Sequence, residues 1–137
     1  GASMAPMIVA LPIADRPVSH AFYRDGLGFA PFGELADDGV PEPLRFALTG
    51  GLHLMLIPTG GFGWVVGGRP VAPPGTSECL LNLPATTEAE VDAIMTKATA
   101  AGAEIVTPPG TQPWGYAGAF ADPDGHVWLV TAQPFPS

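Results

Sequence analysis

Apolar positions in this chain fall into short runs divided by glycine and proline, and their spacing alternates between strand-like and helix-like periods. Met7-Ile8-Val9-Ala10-Leu11-Pro12-Ile13 is short and β-branched, which predicts a strand buried on both faces. Asp15 then offers an N-cap, with Pro17 in the first turn where its missing N–H costs nothing. Val18, Ala21 and Phe22 recur at helical spacing, and Gly26 supplies a C-cap. Three strand-like runs follow at residues 29–35, 44–48 and 52–57, the last two joined by a Gly50-Gly51 hairpin signal.

The second half repeats this order. Residues 78–83 read as a strand, and Thr87-Glu88-Ala89-Glu90 is a capping box. It opens a helix whose apolar stripe is Val91, Ile94, Met95, Ala98 and Ala101, and Gly102 ends it. Strand-like runs at 104–107, 116–121 and 126–131 come next, with Asp122-Pro123-Asp124-Gly125 as the last turn. The segment from Phe46-Ala47 to Gly51 lines up at a constant offset with that from Phe120-Ala121 to Gly125, so the repeat is visible in residues as well as in element order. The expected organisation is α+β, a single domain over 4–137 with modules at about 4–58 and 77–133. The linker between them, 59–76, carries Phe62, Trp64, Val65 and Val66 among glycines and prolines, and such a long loop points to function or mobility.

Composition narrows the function. With 137 residues and 47% hydrophobic content, the chain can bury a sizeable core. A formal charge of −8 repels phosphate backbones and anionic lipid surfaces, so neither nucleic acid nor a membrane is an expected partner. No apolar run reaches the roughly 18 residues of a membrane span. The single Cys79 excludes an internal disulfide and suits a reducing compartment. Gly1-Ala2-Ser3 before Met4 reads as a cloning scar without a signal peptide after it, and the expected location is cytoplasmic. No phosphate-binding loop and no serine nucleophile elbow is present.

Leu11-Pro12-Ile13-Ala14-Asp15 followed by Ala21-Phe22-Tyr23-Arg24-Asp25-Gly26-Leu27-Gly28-Phe29 resembles the opening of vicinal oxygen chelate proteins. That superfamily holds glyoxalase I, bleomycin-resistance proteins and extradiol dioxygenases. Trp114-Gly115-Tyr116 and the later Phe120-Ala121-Asp122-Pro123-Asp124-Gly125-His126-Val127-Trp128 resemble its closing hairpin. The resemblance implies two βαβββ modules forming a curved, half-open mixed sheet around a cavity, and a homodimer. It also implies four metal-ligand positions, which fall here on Ile8, Met55, Glu78 and Leu129. A hard divalent cation needs several oxygen or imidazole donors, and only Glu78 offers one. No metal and no other cofactor is therefore expected.

Strand parity from those positions turns Ile8, Ala10, His53, Met55, Ile57, Glu78, Leu80, Val127, Leu129 and Thr131 toward the cavity. Val9, Leu11, Leu54, Leu56, Cys79, Leu81, Leu83, Trp128 and Val130 take the opposite face under the helices, with Cys79 an inert buried thiol. Phe32, Phe62, Trp64, Trp114 and Tyr116 are candidate stacking walls. Glu78, raised in pKa by an apolar cavity, is the candidate general base or counter-charge, or else a relic paired with Arg45 or Arg69. His53 joins it as a selectivity residue, His126 orders the turn that it follows, and His20 is read as a solvated helix residue. The reading is a metal-independent binding protein that sequesters an aromatic or cationic small molecule. The alternative is a lyase-, isomerase- or dioxygenase-like enzyme using Glu78 as base or a divalent metal.

Overall fold

The alternation of apolar and polar residues is realised as two small mixed sheets. The structure, a computed structural model, describes residues 5–49 and 51–132. Gly1-Ala2-Ser3, Gly50 of the hairpin signal and the chain after residue 132 lie outside the described residues. Two compact units divide the chain between Val71 and Ala72.

The first unit runs β1 (Met7–Ile13), α1 (Arg16–Ala21), β2 (Ala30–Phe32), β3 (Leu44–Thr49), β4 (Leu52–Pro58) and α2 (Thr59–Val65). Its sheet has the order β1-β4-β3-β2, with β1 parallel to β4 and the other pairs antiparallel. The second unit runs β5 (Leu80–Ala85), α3 (Glu88–Ala100), β6 (Glu104–Gln112), β7 (Gly115–Ala121) and β8 (Val127–Ala132). Its order, β5-β8-β7-β6, is the same arrangement, again with one parallel pair. The strand–helix–three-strand unit thus occurs twice in an α+β fold. Prolines inside strands fall mainly on the sheet edges: Pro12 on β1, Pro31 on β2, Pro84 on β5, and Pro108 and Pro109 on β6. An edge strand needs only half of its ladder, so a missing N–H can face away from the partner. This lets β6 continue past Thr107, where the sequence pattern ends, through two register shifts to Gln112.

Each sheet buries one face. Leu11, Ile13, Leu44, Phe46, Leu54 and Leu56 form that face in the first unit, with Phe22 and Tyr23 from the helical turn below them. In the second unit Trp128, Val130 and Phe120 are buried with Val91, Met95 and Ala98 of α3. Gly118 on β7 leaves room for α3, since a Cβ there would stand 3.0 Å from Met95 Sδ. Thr87 caps α3 by accepting from the Glu90 N–H at 3.0 Å. The Glu90 carboxylate accepts from the N–H and hydroxyl of Thr86, one residue before the cap, so the reciprocal half of the capping box closes a step early.

Several expectations are corrected. β1 is not buried on both faces, because it is an edge strand: Met7 is 69% and Ile8 39% exposed. The run at 29–35 yields only three strand residues, Ala30–Phe32. The helix runs on through Gly26 as a wider π-type turn over Phe22–Gly26, and Gly28, at φ 76°, is the left-handed residue beyond it. The linker is partly helical. Thr59–Val65 forms α2, anchored where the Thr59 hydroxyl donates to the Ile13 carbonyl at 3.1 Å. β5 begins at Leu80, so Glu78 and Cys79 precede the strand, both exposed. Cys79 is therefore not a buried thiol.

His20 is the other correction: it is buried, with its ring 6.3 Å from that of Phe46. The bulky pair Phe22-Tyr23 turns the helix, and residues three and four positions before Tyr23 are His20 and Ser19, not Val18. Val18 is left 50% exposed. Burial, reinforced by the Arg24 guanidinium, holds the His20 pKa below the usual 6.5 against a weaker opposing pull from Asp25. Below pH 6.5 the unfolded chain takes up a proton that the folded chain resists, so stability is full above that pH and declines as pH falls toward the folded pKa. Urea midpoints measured from pH 7.5 to 5 should show this decline, and His20→Gln should flatten it. An unchanged slope in that variant would remove His20 as its source.

Candidate functional site

The open face of the first sheet gathers its polar chemistry at one place. Alternation turns Ile8 and Ala10 of β1, His53, Met55 and Ile57 of β4, Arg45 and Ala47 of β3, and Phe32 of β2 away from the buried side. In register, His53 lies between Ile8 and Ala47, Met55 between Ala10 and Arg45, and Phe32 across from Arg45. A bulge between Ala47 and Thr49 sets this pairing.

Three side chains lock together there. Arg45 Nε donates to His53 Nδ1 at 3.0 Å. The guanidinium carbon stands 4.9 Å from the centre of the Phe32 ring, a cation–π distance. The Phe32 and His53 rings meet edge to face at 4.9 Å and 74°. By accepting, His53 Nδ1 must be bare, so the neutral ring carries its hydrogen on Nε2. The described ion pairs join Arg16 to Asp38 and Glu42, and Arg24 to Asp25; none involves Arg45. Arg45 is thus a half-buried, oriented cation with no carboxylate partner among the described residues.

Phe32, His53 and Met55, all singled out in the sequence, meet on this face. Leu129 occupies the matching face of the second sheet, between Asn82 and Ala119. Phe62 and Trp64 are carried by α2, with Trp64 83% exposed, and Trp114 is 58% exposed in the turn between β6 and β7. Tyr116 is not a free stacking wall. It shares the α3 side of β7 with Gly118, and its hydroxyl donates to Asp92 Oδ1 at 2.6 Å. That bond, with burial, holds the phenol pKa above its usual 10.0. Beside it a hydroxyl-rich recess of about 430 Å³ is lined by Thr86, Thr87, Glu88, Thr111, Gly115, Tyr116 and Ala132.

Register also moves the position matched to Ile8. Ile8 pairs with His53, and the offset that aligns Phe46 with Phe120 aligns His53 with Val127, whose partner is Leu80. By strand pairing, the counterpart of Ile8 in the second unit is Leu80 rather than Glu78. None of Ile8, Met55, Leu80 and Leu129 carries an oxygen or imidazole donor of the kind a hard divalent cation needs. Among the described residues no three His, Cys, Asp or Glu side chains gather where they could hold a metal ion. The residue that sequence reasoning did not choose as a ligand contact is Arg45; its position opposite Met55 was the available signal, hidden by the bulge.

A family profile described as Glyoxalase/Bleomycin resistance protein/Dioxygenase superfamily matches residues 8–130. Among solved structures, a glyoxalase-related enzyme from Fulvimarina pelagi is 30% identical over 93% of this chain and 86% of its own, with TM-score 0.80. TnmS3, an antibiotic binding protein from a Streptomyces species, is 25% identical over 96% of this chain and 97% of its own, with TM-score 0.65. A protein of the same superfamily from Burkholderia phytofirmans, 20% identical over 90% of this chain and 94% of its own with TM-score 0.71, shares the fold. No curated protein matches the sequence.

Proposed function

The chain belongs to the glyoxalase/bleomycin-resistance/dioxygenase superfamily, and on that premise we propose that it is a metal-independent binding protein that sequesters an aromatic small molecule. The observation that carries this reading is the Phe32–Arg45–His53 cluster on the open face of the first sheet. Phe32 is 40% exposed and pinned from two sides, so a planar ligand can stack on it without first ordering it. Met55 and Ile8 extend an apolar floor beside it. The likeness to an antibiotic binding protein supports a sequestering role. Glu78, exposed ahead of β5, has lost the apolar setting that its role as a base requires. A cytoplasmic homodimer is part of the same reading. No described helix is long and apolar enough to cross a membrane, and Met7, Ile8 and Leu80 leave apolar surface uncovered along β1 and β5.

The test is titration with naphthylmethanol, a neutral planar probe, followed by isothermal calorimetry. Binding should be saturable, the probe should be recovered unchanged, and Phe32→Ala should weaken it about tenfold. A stacked ring is worth about 0.5–1.5 kcal/mol, and 1.4 kcal/mol is a factor of ten. Sedimentation of the same samples reads the oligomeric state. Chemical conversion of the probe, or equal affinity in Phe32→Ala, would overturn the reading.

A further inference from the structure

Resting on the reading that this face binds an aromatic ligand, we infer that the ligand is an aromatic carboxylic acid, held by Arg45 through its terminal guanidinium nitrogens while its ring stacks on Phe32. The chain carries 13 acidic and 5 Lys and Arg residues, so carboxylates are plentiful and cations scarce. Yet Arg45, half-buried in the middle of a sheet face, pairs with none of the described ones. A partly desolvated cation without a counter-ion costs stability, so this arrangement makes sense where something else supplies the anion.

Geometry then selects the anion. The Nε–H is spent on His53 Nδ1, and the plane of the guanidinium is fixed by that bond and by the Phe32 ring 4.9 Å away. The two terminal nitrogens have no described acceptor, and together they present the parallel N–H pair that fits both oxygens of a carboxylate. His53 adds its Nε2–H as a further donor, by the tautomer that its contact with Arg45 requires. Phe32 touches both partners, so a ring stacked on it carries its substituent toward the same two side chains. The overall charge of −8 opposes anions only at long range, where salt screens it within about 8 Å, and the guanidinium decides at contact. The cation expected from the sequence rested on Glu78 held in an apolar cavity, whereas Glu78 is exposed ahead of β5.

The experiment compares naphthoate, naphthylmethanol and naphthylmethylammonium by calorimetry at fixed salt and pH. Naphthoate should bind at least tenfold tighter than the alcohol, and the ammonium weakest. Arg45→Gln should erase the preference, so that the acid and the alcohol bind alike. Arg45→Lys, which keeps the charge but loses the fork, should retain only part of the preference and guards against a folding defect in the first variant. His53→Ala should narrow the preference by releasing the guanidinium. Equal binding of acid and alcohol, or a preference that survives Arg45→Gln, overturns the carboxylate assignment and leaves the aromatic-binding reading standing. Failure of all three probes to bind overturns both.

Discussion

Trp128→Ala is expected to destabilise the second unit by about 3–5 kcal/mol, the cost of removing a fully buried indole from a core that cannot close behind it. Trp128 is 1% exposed on the central strand β8. Its ring lies 6.3 Å from Phe120 and within 8° of parallel to it, and both face the side covered by α3. Urea unfolding followed by circular dichroism reads the loss as a shifted midpoint. Trp128→Phe preserves the stack and most of the volume, so it should lose less than half as much. A loss under about 1 kcal/mol for the alanine variant would mean that this face is not packed around the indole.

Trp128 as a core residue was legible from strand parity alone, and so was most of the buried face. Period-2 alternation assigns a face without knowledge of register, which is why Leu54, Leu56 and Val130 were placed correctly while Glu78 was not. A strand slipped by two residues keeps every side chain on its face but changes its neighbours. β5 starts at Leu80, with Ser77, Glu78 and Cys79 exposed ahead of it, and sequence similarity between modules could not detect that two-residue difference.

Arg45 shows what a single bulge hides. A two-residue hairpin continued from the Thr49–Leu52 pair would set Leu48 opposite His53 and turn Arg45 toward the core. The apolar demand of Leu44 and Phe46 wins instead. One extra residue enters β3, Ala47 takes the place opposite His53, and the guanidinium reaches the open face. His20 and α2 were missed for a different reason. In both, tertiary contacts overrode local preference: two adjacent aromatics rotated α1, and a seven-residue helix holding three glycines formed against β1 and β4.

Gly125→Ala is expected to cost about 2 kcal/mol or more, through two effects that can be separated. Asp122-Pro123-Asp124-Gly125 closes as the sequence predicts: the buried Asp122 carboxylate accepts from the Asp124 and His126 N–H groups at 2.9 and 2.8 Å. The His126 carbonyl accepts from the Asp122 N–H at 2.9 Å. Gly125 has φ 88°, a conformation that costs an L-residue roughly 1–2 kcal/mol. Its Cα also lies against the chain at Gly75, so a Cβ would stand 2.7 Å from the Gly75 nitrogen, backbone that cannot rotate aside. Gly102→Ala is the matched control: φ is 106°, but nothing lies within 4 Å of the added Cβ, so only the conformational cost applies. Gly125→Ala should therefore lose clearly more stability than Gly102→Ala in the same urea series. Equal losses would mean that Gly75 yields freely, and that the turn before β8 and the segment leading into β5 are not held together as described.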